Sequence, residues 1–226
     1  MNRRYVLIGS AAVVAVGVAL GLFFALKGGG AQAPQRASSS PSSSARAPRF
    51  QFRLASVRVV ITGRRGGTRA AGRRAAERIR TTLDTLYSAA FLDPSAWRTG
   101  RYGLAWGLFA GSIAKSAHDH RDVLTLGSRA GATFDSVAAH PSRLDVRVLM
   151  DRSGNPSTAV GEVSFTARGE QKNGGATTIV SEGQYFLRPG SHGWVIDAFD
   201  VKRRDRTVHP KPAPPTPSAS SSGASG

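Results

Sequence analysis

The sequence predicts an α+β domain in which helices come first and an antiparallel strand meander follows, joined to an N-terminal transmembrane helix. Three observations support this prediction. An uncharged apolar segment lies close to the N-terminus, the next part of the chain repeats apolar residues at helical spacing, and the last part alternates apolar and polar residues between short turns. Helices followed by strands favour helices packed on one face of a sheet.

Residues 5–26 predict the membrane anchor because they carry no charge and are mostly apolar. A helix of about 20 such residues crosses a hydrocarbon core of about 30 Å. The alternative is a cleaved signal peptide, but its apolar stretch would be about 7–15 residues long. Arg3 and Arg4 precede the segment, and basic flanks tend to stay in the cytoplasm. We therefore expect a cell-membrane protein with a single span, a cytoplasmic N-terminus and everything after Lys27 outside the cytoplasm.

Composition divides the chain into four parts. Residues 1–27 are the cytoplasmic tip and anchor, and residues 28–48 form a Gly/Ser/Pro-rich stalk that is expected to be disordered. Residues 49–208 are expected to fold as the extracytoplasmic domain. Residues 209–226 form a second Pro/Ser-rich tail. The chain contains no cysteine, so no disulfide holds the domain together.

The sequence of the first half of the domain predicts one strand and two helices. Residues 50–61 are rich in β-branched and aromatic residues and predict a strand, and a glycine-rich break follows. Thr68 is the expected N-cap of a helix to Phe91, which Asp93-Pro94 ends. Its buried face recurs at helical spacing, and the members of that face are Ala75, Ile79, Leu83, Leu86 and Ala90.

A short turn capped by Ser95 and a second helix, from about Tyr102 to Val123, are expected to follow. Four strands are then predicted, and they span about 143–150, 158–168, 177–188 and 194–203. In the first of them, Arg143, Asp145 and Arg147 share one face. The aromatic and aliphatic side chains expected to be largely buried are Trp106, Phe109, Phe165, Phe186 and Ile196.

Parts of the predicted meander resemble a known family. They are Val180–Arg188, Trp194–Phe199 and the turn from Met150 to Pro156 with the strand through Phe165. These segments are similar to the nuclear-transport-factor-2-like, or SnoaL/ketosteroid-isomerase-like, domains. The resemblance covers roughly residues 68–204 and implies the cone fold, in which a curved meander encloses helices. The strand at 50–61 departs from the minimal cone.

The combination of such a domain with one anchor and a stalk is also similar to envelope proteins of actinobacterial type. These include the Mce-associated membrane proteins and the inner-membrane assembly subunits of type IV secretion. This resemblance implies that the domain is a protein-interaction module and not an enzyme. Ketosteroid isomerase uses an Asp base, a Tyr and a protonated acid in an apolar cavity. Asp84, Tyr87 and Asp93 do not match that motif, and Asp84 is interpreted as a solvated partner of Arg80.

His118, Asp119 and His120 are candidate metal ligands by residue type. Residues two apart on a helix point in nearly opposite directions, so the two histidines would not share a metal. His118 and Asp122 would share a face, yet two ligands do not complete a zinc site. Ser116 lies in no nucleophile motif. The sequence thus predicts no catalytic, cofactor-binding or metal-binding residue and no cofactor.

The formal net charge is +17, and most of the surplus lies at the beginning of the domain. Ten arginines stand against one acid between Arg49 and Arg80. Basic residues near a membrane attract anionic lipid by about 1 kcal/mol each. Nucleic acid is not expected, because no tyrosine or tryptophan is interleaved for base stacking. The predicted anionic-surface contact comprises Arg53, Arg58, Arg64, Arg65, Arg69, Arg73 and Arg74.

The sequence therefore predicts a membrane-anchored accessory or scaffold protein of the cell envelope that interacts with other proteins. The expected partners are the membrane, an envelope protein, anionic lipid and a second copy of the chain bound through the sheet face. The alternative is a small-molecule-binding or isomerase-type enzyme that uses the cavity of the cone. A deep cavity with a convergent acid and tyrosine would favour that alternative, whereas a filled cone would favour the interaction module.

Overall fold

The computed structural model describes residues 50–61 and 69–208 of the chain. All of them belong to one compact unit, Arg46–Gly226, which contains its whole hydrophobic core. The predicted anchor, stalk and tail, the expected cap Thr68, and Arg64 and Arg65 lie outside the described residues. Among the described residues, no helix is long and apolar enough to cross a membrane.

The elements follow one another in an α+β arrangement, in which one strand comes first, the helices come next and five strands come last. The six strands, β1 to β6, are Arg53–Ile61, Phe134–Ala139, Arg143–Met150, Pro156–Gln171, Ala176–Gly190 and Gly193–Val208. The six α-helices, α1 to α6, are Arg69–Tyr87, Pro94–Thr99, Gly103–Trp106, Ala114–Asp119, Arg121–Leu124 and Ala130–Thr133. A π-helical turn, Ser88–Leu92, extends α1, and a 3-10 turn, Gly111–Ile113, precedes α4.

The described strands form one curved, open sheet in the order β1-β3-β4-β5-β6. All pairs are antiparallel except β1 with β3, which is parallel. A parallel neighbour requires a crossover connection, and the helical segment between β1 and β3 supplies it. The prediction left the place of the first strand open, and its position is the edge next to β3.

The strands β2 and β3 pair with the same edge of β4, one after the other along it. The break between them falls at 140–142, where Pro141 lacks a backbone N–H. Here the His140 N–H donates to Thr166 O at 2.8 Å, and the Thr166 N–H donates to Ser142 Oγ at 3.2 Å. The sheet therefore bends without leaving these backbone groups unpaired. The sequence prediction missed β2.

The helix α1 packs on the concave face of the sheet. All five members of its predicted buried face are at most 5% exposed. A Cβ at Gly72 would overlap Val59 of β1, and a Cβ at Gly161 of β4 would lie 2.8 Å from Leu83 Cδ1. The helix and the sheet thus approach each other closely, and the helices enclosed by one curved sheet match the arrangement that the cone-fold resemblance implies.

Two sequence predictions in the helical region are wrong. The single helix expected from Tyr102 to Val123 is broken into short helices and turns, because the chain at 108–110 bonds to the edge of β6. The Ala110 N–H donates to Ile196 O at 2.8 Å, and the Ile196 N–H donates to Leu108 O at 2.9 Å. The cap of α2 is Asp93 and not Ser95, since Asp93 Oδ1 accepts from the Ser95 N–H at 2.8 Å.

The expected core is confirmed in part. Phe109, Phe165 and Ile196 are buried, and Trp106 is half-buried. The prediction for Phe186 is wrong, because this side chain is 37% exposed on the face of the sheet that is turned away from α1. Alternation along β5 puts Tyr185 and Leu187 in the core and Phe186 outside it.

Replacing Phe165 with alanine is expected to destabilise the domain by about 3–5 kcal/mol, because a fully buried ring leaves a cavity. The free energy of unfolding from urea denaturation measures the loss. Phe186→Ala is the matched control, and it should cost much less because its ring is partly in solvent. Equal losses for the two variants would contradict the assignment of Phe165 to the concave face.

Candidate functional site

The concave side of the sheet is filled by aromatic side chains. The ring of Tyr87 lies 4.8 Å from that of Phe165, 5.2 Å from Phe91 and 5.0 Å from Phe52, measured between centroids. Phe52 belongs to the segment that leads into β1, so the element added to the minimal cone contributes to this filling. All four rings are at most 2% exposed.

Two tyrosine hydroxyls and one serine form a buried hydrogen-bonded chain inside the cone. Tyr87 Oη lies 2.9 Å from Ser181 Oγ, and the Tyr185 hydroxyl donates to Tyr87 Oη at 3.4 Å. Burial raises the pKa of Tyr87 to about 12 and raises that of Tyr185 well above its usual value of 10. Both phenols therefore stay neutral at physiological pH and satisfy one another in the core.

The position of Asp84 differs from its interpretation as a solvated ion-pair partner. The residue is 8% exposed, and its Oδ1 accepts a hydrogen bond of 2.8 Å from the Phe52 N–H. Arg80 Nη1 lies 3.3 Å from Asp84 Oδ2. Asp84 follows Leu83 and lies beside the buried face of α1. The prediction that it is solvated was wrong because the segment leading into β1 covers this side of the helix. Burial raises the pKa of this carboxyl, against the opposing effects of the Phe52 N–H and Arg80.

The outer face of the sheet, which is the face turned away from α1, presents a different surface. Its side chains in β3, β4 and β5 are exposed or half-buried, whereas the alternate side chains are buried. A groove of about 620 Å³ lies on this face and is called the outer groove below. Its lining residues are 56–58 of β1, Arg143 and 145–147 of β3, Val160 and Glu162 of β4, and Gln184 and Phe186 of β5.

Cross-strand register organises the charges of the outer groove into rows. One row runs from Arg58 to Arg147, Val160 and Phe186 across four strands. The adjacent row contains Ser56, Asp145, Glu162 and Gln184 in the same strand order. The groove therefore has two neighbouring arginines that continue into an apolar strip, with a row of acids and amides beside them.

Asp145 is held inside the groove by two partners. Arg143 Nε lies 2.8 Å from Asp145 Oδ2, and the Ser56 hydroxyl donates to Asp145 Oδ1. The hydrogen bond from Arg143, followed by that from Ser56, lowers the pKa of the carboxyl. Asp145 consequently remains ionised at neutral pH and compensates the charge of Arg143.

The predicted anionic-surface contact is divided between two places. Arg53 and Arg58 lie on the outer face, because their neighbours Leu54 and Val59 face inward. Arg69, Arg73 and Arg74 are exposed on α1, which lies on the concave side. The five described arginines therefore do not share one face of the sheet.

The other candidate residues of the sequence have local partners. Asp119 pairs with Lys115 at 2.6 Å, the ring of His118 lies 4.6 Å from that of Trp106, and His120 Nδ1 lies 2.8 Å from Ser116 O. Within residues 50–61 and 69–208, no three His, Cys, Asp or Glu side chains are grouped so as to hold a metal ion.

The sequence reasoning missed Arg147 and Glu162 as members of a surface with Arg58. Part of the signal was present, since the alternation in 143–150 already placed Arg143, Asp145 and Arg147 on one face. The missing information was the pairing of β1 with β3, which sets Arg58 directly beside Arg147. That pairing joins residues about ninety positions apart in the chain.

Among known proteins, one solved structure is similar to this domain. No protein-family model matches the chain, and no curated protein matches it. The domain is similar to the crystal structure of a hexachlorocyclohexane dehydrochlorinase (LinA) of type 2, with 12% sequence identity and a TM-score of 0.37. The match covers 63% of this chain and 98% of that enzyme chain. At this level the similarity transfers no residue role to the chain.

The similarity nevertheless corrects one prediction. The sequence analysis predicted that the chain is not an enzyme, whereas the similar structure is that of a dehydrochlorinase. That prediction is therefore withdrawn. The similarity to Mce-associated and type IV secretion proteins stays a prediction.

The buried carboxyl of Asp84 gives a pH-dependent test. Its raised pKa means that the folded domain binds this proton more tightly than the unfolded chain does, so that stability is lost as the pH rises through the folded-state pKa. Wild-type protein should therefore lose stability relative to Asp84→Asn as the pH rises above about 4, the ordinary pKa of an aspartate. Urea denaturation of both proteins across this range measures the difference, in which other titrating groups cancel. A difference that moves in favour of the wild type as the pH rises would mean that Arg80 and Phe52 outweigh desolvation.

Proposed function

We propose that this chain is a membrane-anchored accessory protein of the cell envelope that binds a partner protein through the outer face of its sheet. The observation that carries the proposal is the contrast between the two faces. The concave face is filled by α1 and by the rings around Tyr87, whereas the side chains of the outer face remain open to solvent. A partner can therefore reach the outer face without unfolding any described element.

The composition of the outer face also suits a protein partner. Phe186 and Val160 supply apolar area, and charges of both signs surround them. Protein interfaces commonly have an apolar centre with a polar rim. A second copy of the chain is one candidate partner, because a surface with both Arg147 and Glu162 can be complementary to itself.

Tethering supplies the rest of the proposed mechanism. The predicted anchor at 5–26 and the stalk at 28–48 would hold the domain within a short distance of the membrane, which raises its effective concentration for a membrane-bound partner. Arg69, Arg73 and Arg74 on the exposed surface of α1 would then be available to anionic head groups. These contacts would orient the domain and leave the outer face free.

Protease accessibility tests the proposed topology. In cells stripped of their wall, added protease should digest a tag after Gly226 and should leave a tag before Arg3 intact. The physical reason is the basic N-terminal flank, which favours the cytoplasmic side. Lysed cells, in which both tags should be digested, are the control. Protection of the C-terminal tag in intact cells would overturn the orientation.

Site-specific photo-cross-linking tests the proposed binding face. A photoreactive amino acid at Gln184, which is exposed on the outer face, should give cross-links to another protein in the full-length chain in cells. The same substitution at Thr81, which is exposed on α1, is the matched control and should give few. Cross-links from Thr81 with none from Gln184 would place the partner on the helical side and would refute the proposal.

A further inference from the structure

Two arginines stand side by side in the outer groove. Arg58 and Arg147 are register partners on the parallel strands β1 and β3, and both are exposed. Adjacent strands lie about 4.8 Å apart, so the two side chains leave the sheet as close neighbours. Like charges directly opposite each other destabilise a sheet. An anion placed between the two guanidinium groups would remove that repulsion.

The neighbouring acids do not neutralise this pair. In the described part of the chain, neither Arg58 nor Arg147 forms an ion pair, whereas nine other pairs are formed there. Asp145, the nearest acid along both strands, is engaged with Arg143 and Ser56. Glu162 lies one row away on β4, opposite Asp145. Two guanidinium groups thus remain available to a carboxylate or a phosphate, which are the groups that arginine binds best.

A second and independent feature continues from the arginine pair. Val160 is the register partner of Arg147, and Phe186 is the register partner of Val160. Phe186 is one of the few large apolar side chains exposed in the described residues. The apolar strip begins where the charges end and extends over two further strands, which is roughly 10 Å. The outer groove therefore has a cationic end and an apolar floor.

We infer that the outer groove binds an amphipathic anion, with its carboxylate or phosphate between Arg58 and Arg147 and its alkyl chain along Val160 and Phe186. The inference goes beyond the proposed function, because its ligand is a small amphipathic anion and not the partner protein, although both would use the outer face. Glu162 limits the affinity, because its carboxylate lies beside the strip and repels the anion. The groove selects for charge at one end of the ligand and for apolar area at the other.

Binding of simple alkyl anions to the unit Arg46–Gly226, which contains its complete core, tests the inference. Isothermal titration calorimetry at low salt would use octanoate and octyl phosphate below their micelle concentrations. Both should bind, and their relative affinities tell whether a carboxylate or a phosphate ester is preferred. Acetate and inorganic phosphate, which lack the chain, and octyltrimethylammonium, which reverses the charge, should bind at least about tenfold more weakly.

Substitutions then locate the site. Replacing Arg58 and Arg147 together by glutamine should weaken octanoate binding by about tenfold or more. The matched control replaces Arg152 and Arg206 by glutamine, because both are exposed, lie outside the groove and change the net charge equally. It should bind as the wild type does. Phe186→Ala should weaken octanoate several-fold and leave acetate unchanged.

One variant should change binding in the opposite direction. Glu162→Gln removes the repelling carboxylate and should tighten octanoate binding several-fold, which damage to the fold could not do. Glu170→Gln, outside the groove, is its control. Unchanged binding in the Arg58/Arg147 variant, or equal binding of octyltrimethylammonium, would overturn the inference.

Sedimentation equilibrium separates this inference from self-association. If wild-type protein is a dimer and the Arg58/Arg147 variant is a monomer, the arginines serve a second copy of the chain and the inference is wrong. The cross-linking experiment at Gln184 is independent of both results. A failure of octanoate binding with successful cross-linking would refute only the anion site, and the reverse would refute only the protein-binding role.

Discussion

The close contact of α1 with the concave face of the sheet is the constraint on which the rest of the domain depends. Gly72 and Gly161 lack the side chains that would hold the two layers apart, so Ile79 and Leu83 reach the floor of the sheet. Dense packing of this kind supplies most of the stability of a domain without disulfides. It also fills the concave side. The rings of Tyr87, Phe91 and Phe165 occupy the interior that an open cone would offer to a ligand.

That packing explains the unusual first strand. β1 lies at the sheet edge beside β3, and its concave side contacts α1 through Val59. The chain reaches this edge through Phe52, whose ring joins the aromatic cluster and whose N–H is bound by Asp84. A buried carboxylate is costly unless it is hydrogen-bonded and paired. Asp84 has both kinds of partner, and it fixes the position at which β1 begins.

The same strand creates the chemistry of the outer face. A minimal cone without β1 would leave Arg147 at the sheet edge with solvent beside it. Parallel pairing instead places Arg58 next to Arg147 and Ser56 next to Asp145. One added strand thus closes the concave interior on one side and builds a charged groove on the other. The two consequences are linked, because side chains of a strand alternate between its faces.

The sequence by itself determined the elements whose signal is local. The apolar face of α1 and the alternation in β3 to β6 follow from the burial of one face, and both were predicted because 3.6-residue and two-residue periodicities can be read directly. The cap of α2 and the breaks in segment 102–123 were predicted wrongly. A side-chain hydrogen bond of Asp93 decides the first, and backbone hydrogen bonds to Ile196 decide the second, so periodicity could show neither. Only the tertiary structure decided that Asp84 is covered and that Arg58 adjoins Arg147. Each of these depends on which strand or segment lies alongside, and contacts between residues distant in the chain leave no periodic trace in the sequence.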